Sequence, residues 1–207
     1  MICCNLANHK SNAIKKLRMD NRISLQDLPL PGLALIKRNP IGDSRGFLQR
    51  MYCQEILSGF GLSESIAQIN LTLTQACGSV RGMHFQRAPY AETKIVTCLR
   101  GRVFDVAVDL RENSPTFLQW HGEILSPELC NSLLIPKGFA HGFQTLSGDC
   151  ELLYFHTAPY HQPSEGGLSP MDPMLKISWP LAITQMSDRD RNHPLLTAEF
   201  KGLMNEM

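Results

Sequence analysis

The chain has 207 residues, of which 43% are hydrophobic and 19% charged, with a formal net charge of +1. That length and composition suit one globular domain with a full core, and the near-neutral balance supplies no electrostatic case for nucleic acid or an anionic membrane. Seven cysteines, an odd number with no Cys-x-x-Cys among them, argue against a disulfide framework or a structural zinc site and for free thiols in a reducing cytoplasm.

Residues 1–24 are polar and basic without period-two patterning. They read as an N-terminal extension, disordered or holding a short helix around "NAIKKLRM", with no apolar run long enough for a signal peptide or a membrane span. Residues 25–207 read as a single domain. From "LALIKRN" onward, short apolar runs alternate with turn signals such as "IGDSRG", "QACGS", "LRGR", "IPKG" and "LSGDC", the punctuation of a β-sandwich or barrel. "CQEILSGFG" predicts a short helix ended by Gly59 or Gly61. "KIVTCL" followed by Arg100-Gly101 predicts a tight hairpin into the next strand. That strand, "VFDVAVDL" (103–110), sets Phe104, Val106, Val108 and Leu110 on one face and Val103, Asp105, Ala107 and Asp109 on the other. Beyond residue 160, proline, glycine and polar residues dominate, so the C-terminal part reads as a loop-rich wrap with one or two short helices.

Four constellations could carry chemistry. In "GSVRGMHFQ", His84 and Gln86 share one strand face, and His84 alone could be a structural histidine, a metal ligand or a catalytic base. Regular alternation puts Arg81 on the opposite face, so Arg81 and His84 reach one site only if the strand bulges between them. In "IPKGFAHGFQ", the Pro136, Gly138 and His141 spacing resembles the second motif of the cupin jelly rolls, with Phe139, His141 and Phe143 facing inward. Gly78 and His84 resemble the first motif, but Gln86 stands where the second histidine usually lies. A divalent site wants about three histidine or carboxylate ligands on one face, so no catalytic metal is expected. In "LLYFHTAPY", Tyr154 and His156 share a face with Leu152, and Tyr154 is a core residue unless it meets the cavity of His84. "MSDRDRNHP" reads as a solvated turn or helix cap.

These pieces, with Lys94 in "AETKIV", resemble the dTDP-4-dehydrorhamnose 3,5-epimerase family. The likeness runs from about residue 25 to about residue 195 through "GDSRGF", "QIN", "VRGMHFQ", "TKIV", "GRVFDVAVDLR", "SPTF", "IPKGFAHGF" and "MDPMLKISWP", in the family's order. It implies a mainly β, cupin-type double-stranded β-helix (jelly roll) with a few short helices. It also implies a cytoplasmic homodimer that epimerises a nucleotide-linked 4-keto-6-deoxyhexose without metal or organic cofactor. By the same resemblance His84 is the base, Asp190 its carboxylate partner, Lys94 the cation beside the keto oxygen and Tyr154 the acid on the opposite face. Arg45, Gln68, Asn70, Arg81, Gln86, His141, Tyr160, Glu165 and Arg189 fall at substrate-binding positions, and Arg45 is implied to act across the dimer from an N-terminal segment. The chain departs from the family at Arg50, where relatives usually carry a glutamate, at Ile69, where many have an aspartate, and at Pro159-Tyr160, in place of a common double tyrosine. These departures bear on the nucleotide, the sugar and whether C3, C5 or both are inverted.

Overall fold

The computed structural model describes residues 22–204. The extension read over residues 1–24, including the helix around "NAIKKLRM", lies outside the described residues except for 22–24, which already enter the first strand. Among the described residues, thirteen strands, numbered in chain order, form two main sheets and a separate hairpin. One sheet runs in the order β1 (Ile23–Asp27), β2 (Ala34–Arg38), β10 (Asn131–Ile135), β7 (Lys94–Arg100), β12 (Cys150–His156), β5 (Gln68–Thr74). The other runs β13 (Glu165–Gly167), β6 (Val80–Gln86), β11 (Phe139–Thr145), β8 (Val103–Asp109), β9 (Trp120–Leu125). The hairpin consists of β3 (Ile41–Asp43) and β4 (Gly46–Leu48). Neighbouring strands within each sheet pair antiparallel, giving the expected jelly roll.

The alternation predicted for residues 103–110 is observed. Val103 and Ala107 enter the core between the sheets with Phe139, Phe143, Leu133 and Leu152. Val106, Val108 and Leu110 point the other way, and the C-terminal wrap covers them through Leu168, Leu175, Trp179 and Phe200. Both faces of β8 are therefore buried, which explains its near-continuous apolar run. The outer face of the six-stranded sheet is covered in part by α1 (Gln54–Ser58), whose Leu57 packs with Ile36, Ile95 and Phe155. Gly59 caps α1 by donating its N–H to the Glu55 carbonyl, in line with the predicted stop.

One local expectation fails. Arg100-Gly101 is not a hairpin turn: β7 belongs to the six-stranded sheet and β8 to the five-stranded one, so the turn is a corner between sheets. Gly101 sits at φ +79°, and a Cβ there would lie 2.7 Å from the Cys150 Sγ. A side chain is excluded where the corner presses against β12.

The bulge required to bring Arg81 and His84 together is present. His141 of β11 pairs with His84, but Phe143 pairs with Arg81, so three residues on β6 span the distance of two on β11. The extra residue returns Arg81 to the inward face beside His84, while Met83 packs outward. Gly82 makes this possible at φ +115°, where a Cβ would lie 2.6 Å from both the Gly142 Cα and the His141 carbonyl oxygen. Gly82→Ala is expected to destabilise the fold by about 1–3 kcal/mol. Urea unfolding should show a lower midpoint with an unchanged slope.

Candidate active site

A cavity of about 240 Å³ opens between the sheets, lined by His84, Arg81, Gln86 and His141 from the five-stranded sheet and by Lys94, Tyr154, His156, Gln68 and Asn70 from the other. The two groups of strands face each other, so a ligand between them meets His84 on one side and Tyr154 on the other.

His84 is held from behind. Its Nε2 donates to the Asp190 Oδ1 at 2.7 Å, and the second carboxylate oxygen accepts the Gly82 backbone N–H at 3.1 Å. Asp190 lies on α2 (Asp188–Arg191), whose N-cap Ser187 accepts the Asp190 N–H. The Ser-x-x-Asp spacing is a capping-box signature, so the cluster read as a helix cap is one, and it also buries the acid that orients the histidine. Asp190 is 4% exposed. Burial alone would raise its pKa, but the His84 hydrogen bond and charge, the Gly82 N–H and Ser187 outweigh that and hold it below the usual carboxylate range. The carboxylate stays ionised and accepts from Nε2, which leaves Nδ1 of His84 with its lone pair free to act as a base.

Tyr154 contacts the inter-sheet core and stands edge-on to His141 and stacked on His156. Burial, reinforced by the nearby Asp105 carboxylate, pushes its phenol well above the ordinary value. It therefore keeps its proton and can donate it. Lys94 is buried, and its Nζ lies 3.0 Å from the Glu92 Oε1. The other Glu92 oxygen lies 2.9 Å from the His156 Nδ1. Burial would raise the Glu92 pKa, but His156 and Lys94 outweigh it and lower it, so Glu92 is an anion that fixes the positions of Lys94 and His156. His141 is likewise paired, Nε2 to the Asp105 Oδ1 at 2.8 Å. Sequence reading missed Glu92 and Asp105. The available signals were an acid two residues before Lys94 and an aspartate set between Val103 and Ala107 on the inward face of a largely apolar strand.

Other expected residues divide. Gln68, Asn70, Tyr160 and Glu165 line the cavity, linked by Gln68 Nε2 to the Asn70 Oδ1 and by the Tyr160 hydroxyl to the Glu165 Oε2. Arg189 reaches Glu165 at the rim. Gln86 also lines the cavity, but its amide is engaged with backbone: it donates to the carbonyls of Tyr90 and Pro159 and accepts the His161 N–H. Its evident work is to anchor the segment that carries Tyr160. Arg45 is not brought to the cavity: it sits at the tip of the β3–β4 hairpin, paired with Asp43 and almost fully exposed.

A jelly roll with a carboxylate-oriented histidine facing a protonated tyrosine across a sugar-sized cavity has the layout of a proton-transfer enzyme. Residues 27–198 match the family model described as dTDP-4-dehydrorhamnose 3,5-epimerase. The chain belongs to that family. A dTDP-4-dehydrorhamnose 3,5-epimerase of Sinorhizobium fredii is 39% identical over 83% of this chain and 88% of its own length. A dTDP-4-dehydrorhamnose 3-epimerase of Streptomyces niveus is 36% identical over 86% of this chain and 85% of its own. The crystal structure of the Legionella pneumophila 3,5-epimerase in complex with dTDP-4-keto-L-rhamnose superposes with a TM-score of 0.82 at 37% identity, covering 88% of this chain and 98% of that one.

Proposed function

We propose that the protein epimerises a dTDP-linked 4-keto-6-deoxyhexose at C3 and C5, with His84 as base and Tyr154 as acid. Both carbons are α to the C4 ketone, so their hydrogens are weakly acidic and the same pair of groups can act at each. The His84 Nδ1 takes the proton, and the imidazolium so formed is stabilised by Asp190. The electron pair moves to the ketone oxygen, where the Lys94 ammonium favours the enolate. Tyr154 then protonates carbon from the other face; its phenolate regains a proton from solvent, and the His84 imidazolium releases one to solvent. Arg81, Arg189, Gln68, Asn70, His141, Tyr160 and Glu165 bind the sugar and its diphosphate; the planar fork of arginine suits phosphate. The observation that carries this reading is the His84–Asp190 pair at 2.7 Å on the sheet opposite Tyr154, in a chain of this family.

The protein acts as a homodimer in this reading, with Arg45 serving the partner's cavity. Support comes from exposed apolar surface: Ile41, Phe47 and Leu48 on the β3–β4 hairpin, and Ile69, Leu71 and Leu73 along the edge strand β5. A side chain such as Phe47, 72% exposed, is costly to leave in water. No helix among the described residues is long and apolar enough to cross a membrane, and the enzyme works in the cytoplasm on a soluble nucleotide sugar.

Incubation with dTDP-4-keto-6-deoxyglucose in heavy water tests the reaction. Deuterium at both C3 and C5 is expected. Label at one carbon alone would place the protein with single-carbon relatives such as the Streptomyces niveus enzyme, and no label would remove this substrate.

A further inference from the structure

His193, two residues beyond α2, has no part in the chemistry above, yet it completes a cluster with the catalytic pair. Its ring fills the notch left by Gly167, where a Cβ would lie 2.2 Å from the imidazole, and Gly167 is the strand partner of His84. The ring stands edge-on to His84 with centroids 5.7 Å apart. Its Nε2 is buried without a hydrogen-bond partner. The closest carboxylate oxygen is the Asp190 Oδ1 at 3.7 Å, the same atom that accepts from the His84 Nε2 at 2.7 Å. The three donor atoms all lie within 4.8 Å of one another.

From this geometry we infer that His84, Asp190 and His193 form an inhibitory binding site for a divalent late first-row metal ion such as Zn²⁺. Two imidazole nitrogens and one carboxylate oxygen are the donor set such ions favour, and metal–ligand bonds of roughly 2.0–2.2 Å put tetrahedral ligand atoms about 3.3 Å apart. That separation falls within the span of the present distances, so small side-chain shifts close the site around an ion. The His84 side chain is 32% exposed, which leaves a path from the cavity and room for a water as fourth ligand. Of the cupin-motif positions this set uses His84 alone: it takes neither His141 nor the Gln86 position, and it draws two ligands from the C-terminal wrap.

Occupancy blocks the base through its tautomer. The ion bonds to Nε2 of His84, the proton on that nitrogen moves to Nδ1, and the ring remains neutral. The nitrogen facing the sugar then carries a hydrogen and cannot accept one. This consequence rests on the proposed role of His84; the metal site itself does not.

The test uses the full chain with Co²⁺ and Zn²⁺. Co²⁺ should give the visible absorption of a four-coordinate nitrogen and oxygen site, lost in His193→Ala and in His193→Gln, which retains more of the side-chain bulk. Micromolar Zn²⁺ should inhibit epimerisation reversibly, with chelator restoring the rate. The inhibition constant should weaken at least tenfold in both variants, while their metal-free rates stay within about twofold of the unsubstituted enzyme. A thiolate charge-transfer band, or equal Zn²⁺ inhibition in the variants, would overturn the site and leave His193 as a ring packed against His84. Metal bound through His193 without loss of activity would uphold the site and refute the role of His84 instead.

Discussion

His84→Ala is expected to lower kcat/KM for epimerisation by roughly 10²–10⁴-fold, the range for loss of a positioned general base. Solvent exchange at C3 and C5 should fall with it, because among the described residues His84 is the more open to the cavity of the two carboxylate-paired imidazoles that line it on the five-stranded side. His141 is the nearest rival, paired through Nε2 to Asp105 in the same way, but its side chain is only 7% exposed against 32% for His84. The fold should persist. Asp190 would lose one partner but keep the Gly82 N–H, so the cost is that of a partly unsatisfied buried carboxylate, about 1–3 kcal/mol. Circular dichroism and a cooperative melt a few degrees lower check this. Asp190→Asn should also slow turnover, since an amide in that place can donate to Nε2 and drive the histidine proton to Nδ1.

Tyr154→Phe should produce a different signature, with net inversion falling by roughly 10²-fold or more. Proton removal by His84 does not need the phenol, so the enolate still forms in the variant. With no donor on the opposite face, the carbon is reprotonated by the imidazolium that took the proton, which restores the starting configuration. Exchange of that imidazolium proton with solvent then labels substrate without inverting it. The side chain is held by contact with the core and by the rings of His141 and His156, and phenylalanine keeps those packing contacts. The loss should therefore appear in the inversion rate with little change in stability.

Much of this site was legible in the sequence, for identifiable physical reasons. The face assignment over residues 103–110 depends only on the two-residue period of a strand, and it held. The Arg81 question was also well posed: alternation required a bulge, and Gly82 supplied it. The Arg100-Gly101 corner was misread because a tight turn looks alike whether its strands pair or part, and sheet membership is decided by partners far along the chain. Glu92, Asp105 and His193 were missed for the same reason. Glu92 is tied to Lys94 beside it but also to His156, 64 positions away, and His193 joins only because Gly167 leaves room for its ring beside His84. Asp190 stands 106 positions from His84, and only the resemblance to relatives linked the two. Arg45 shows the complementary limit, since its place in one chain leaves it exposed on a hairpin.

The opposition of base and acid across the cavity is tested most directly by the ratio of stereoinversion to solvent deuterium exchange at C3 and C5, followed by NMR in heavy water for the unsubstituted protein and Tyr154→Phe side by side. The ratio should fall at least tenfold in Tyr154→Phe, with exchange continuing after inversion has nearly stopped. Equal loss of exchange and inversion, leaving the ratio unchanged, would contradict an acid at Tyr154 facing a base at His84.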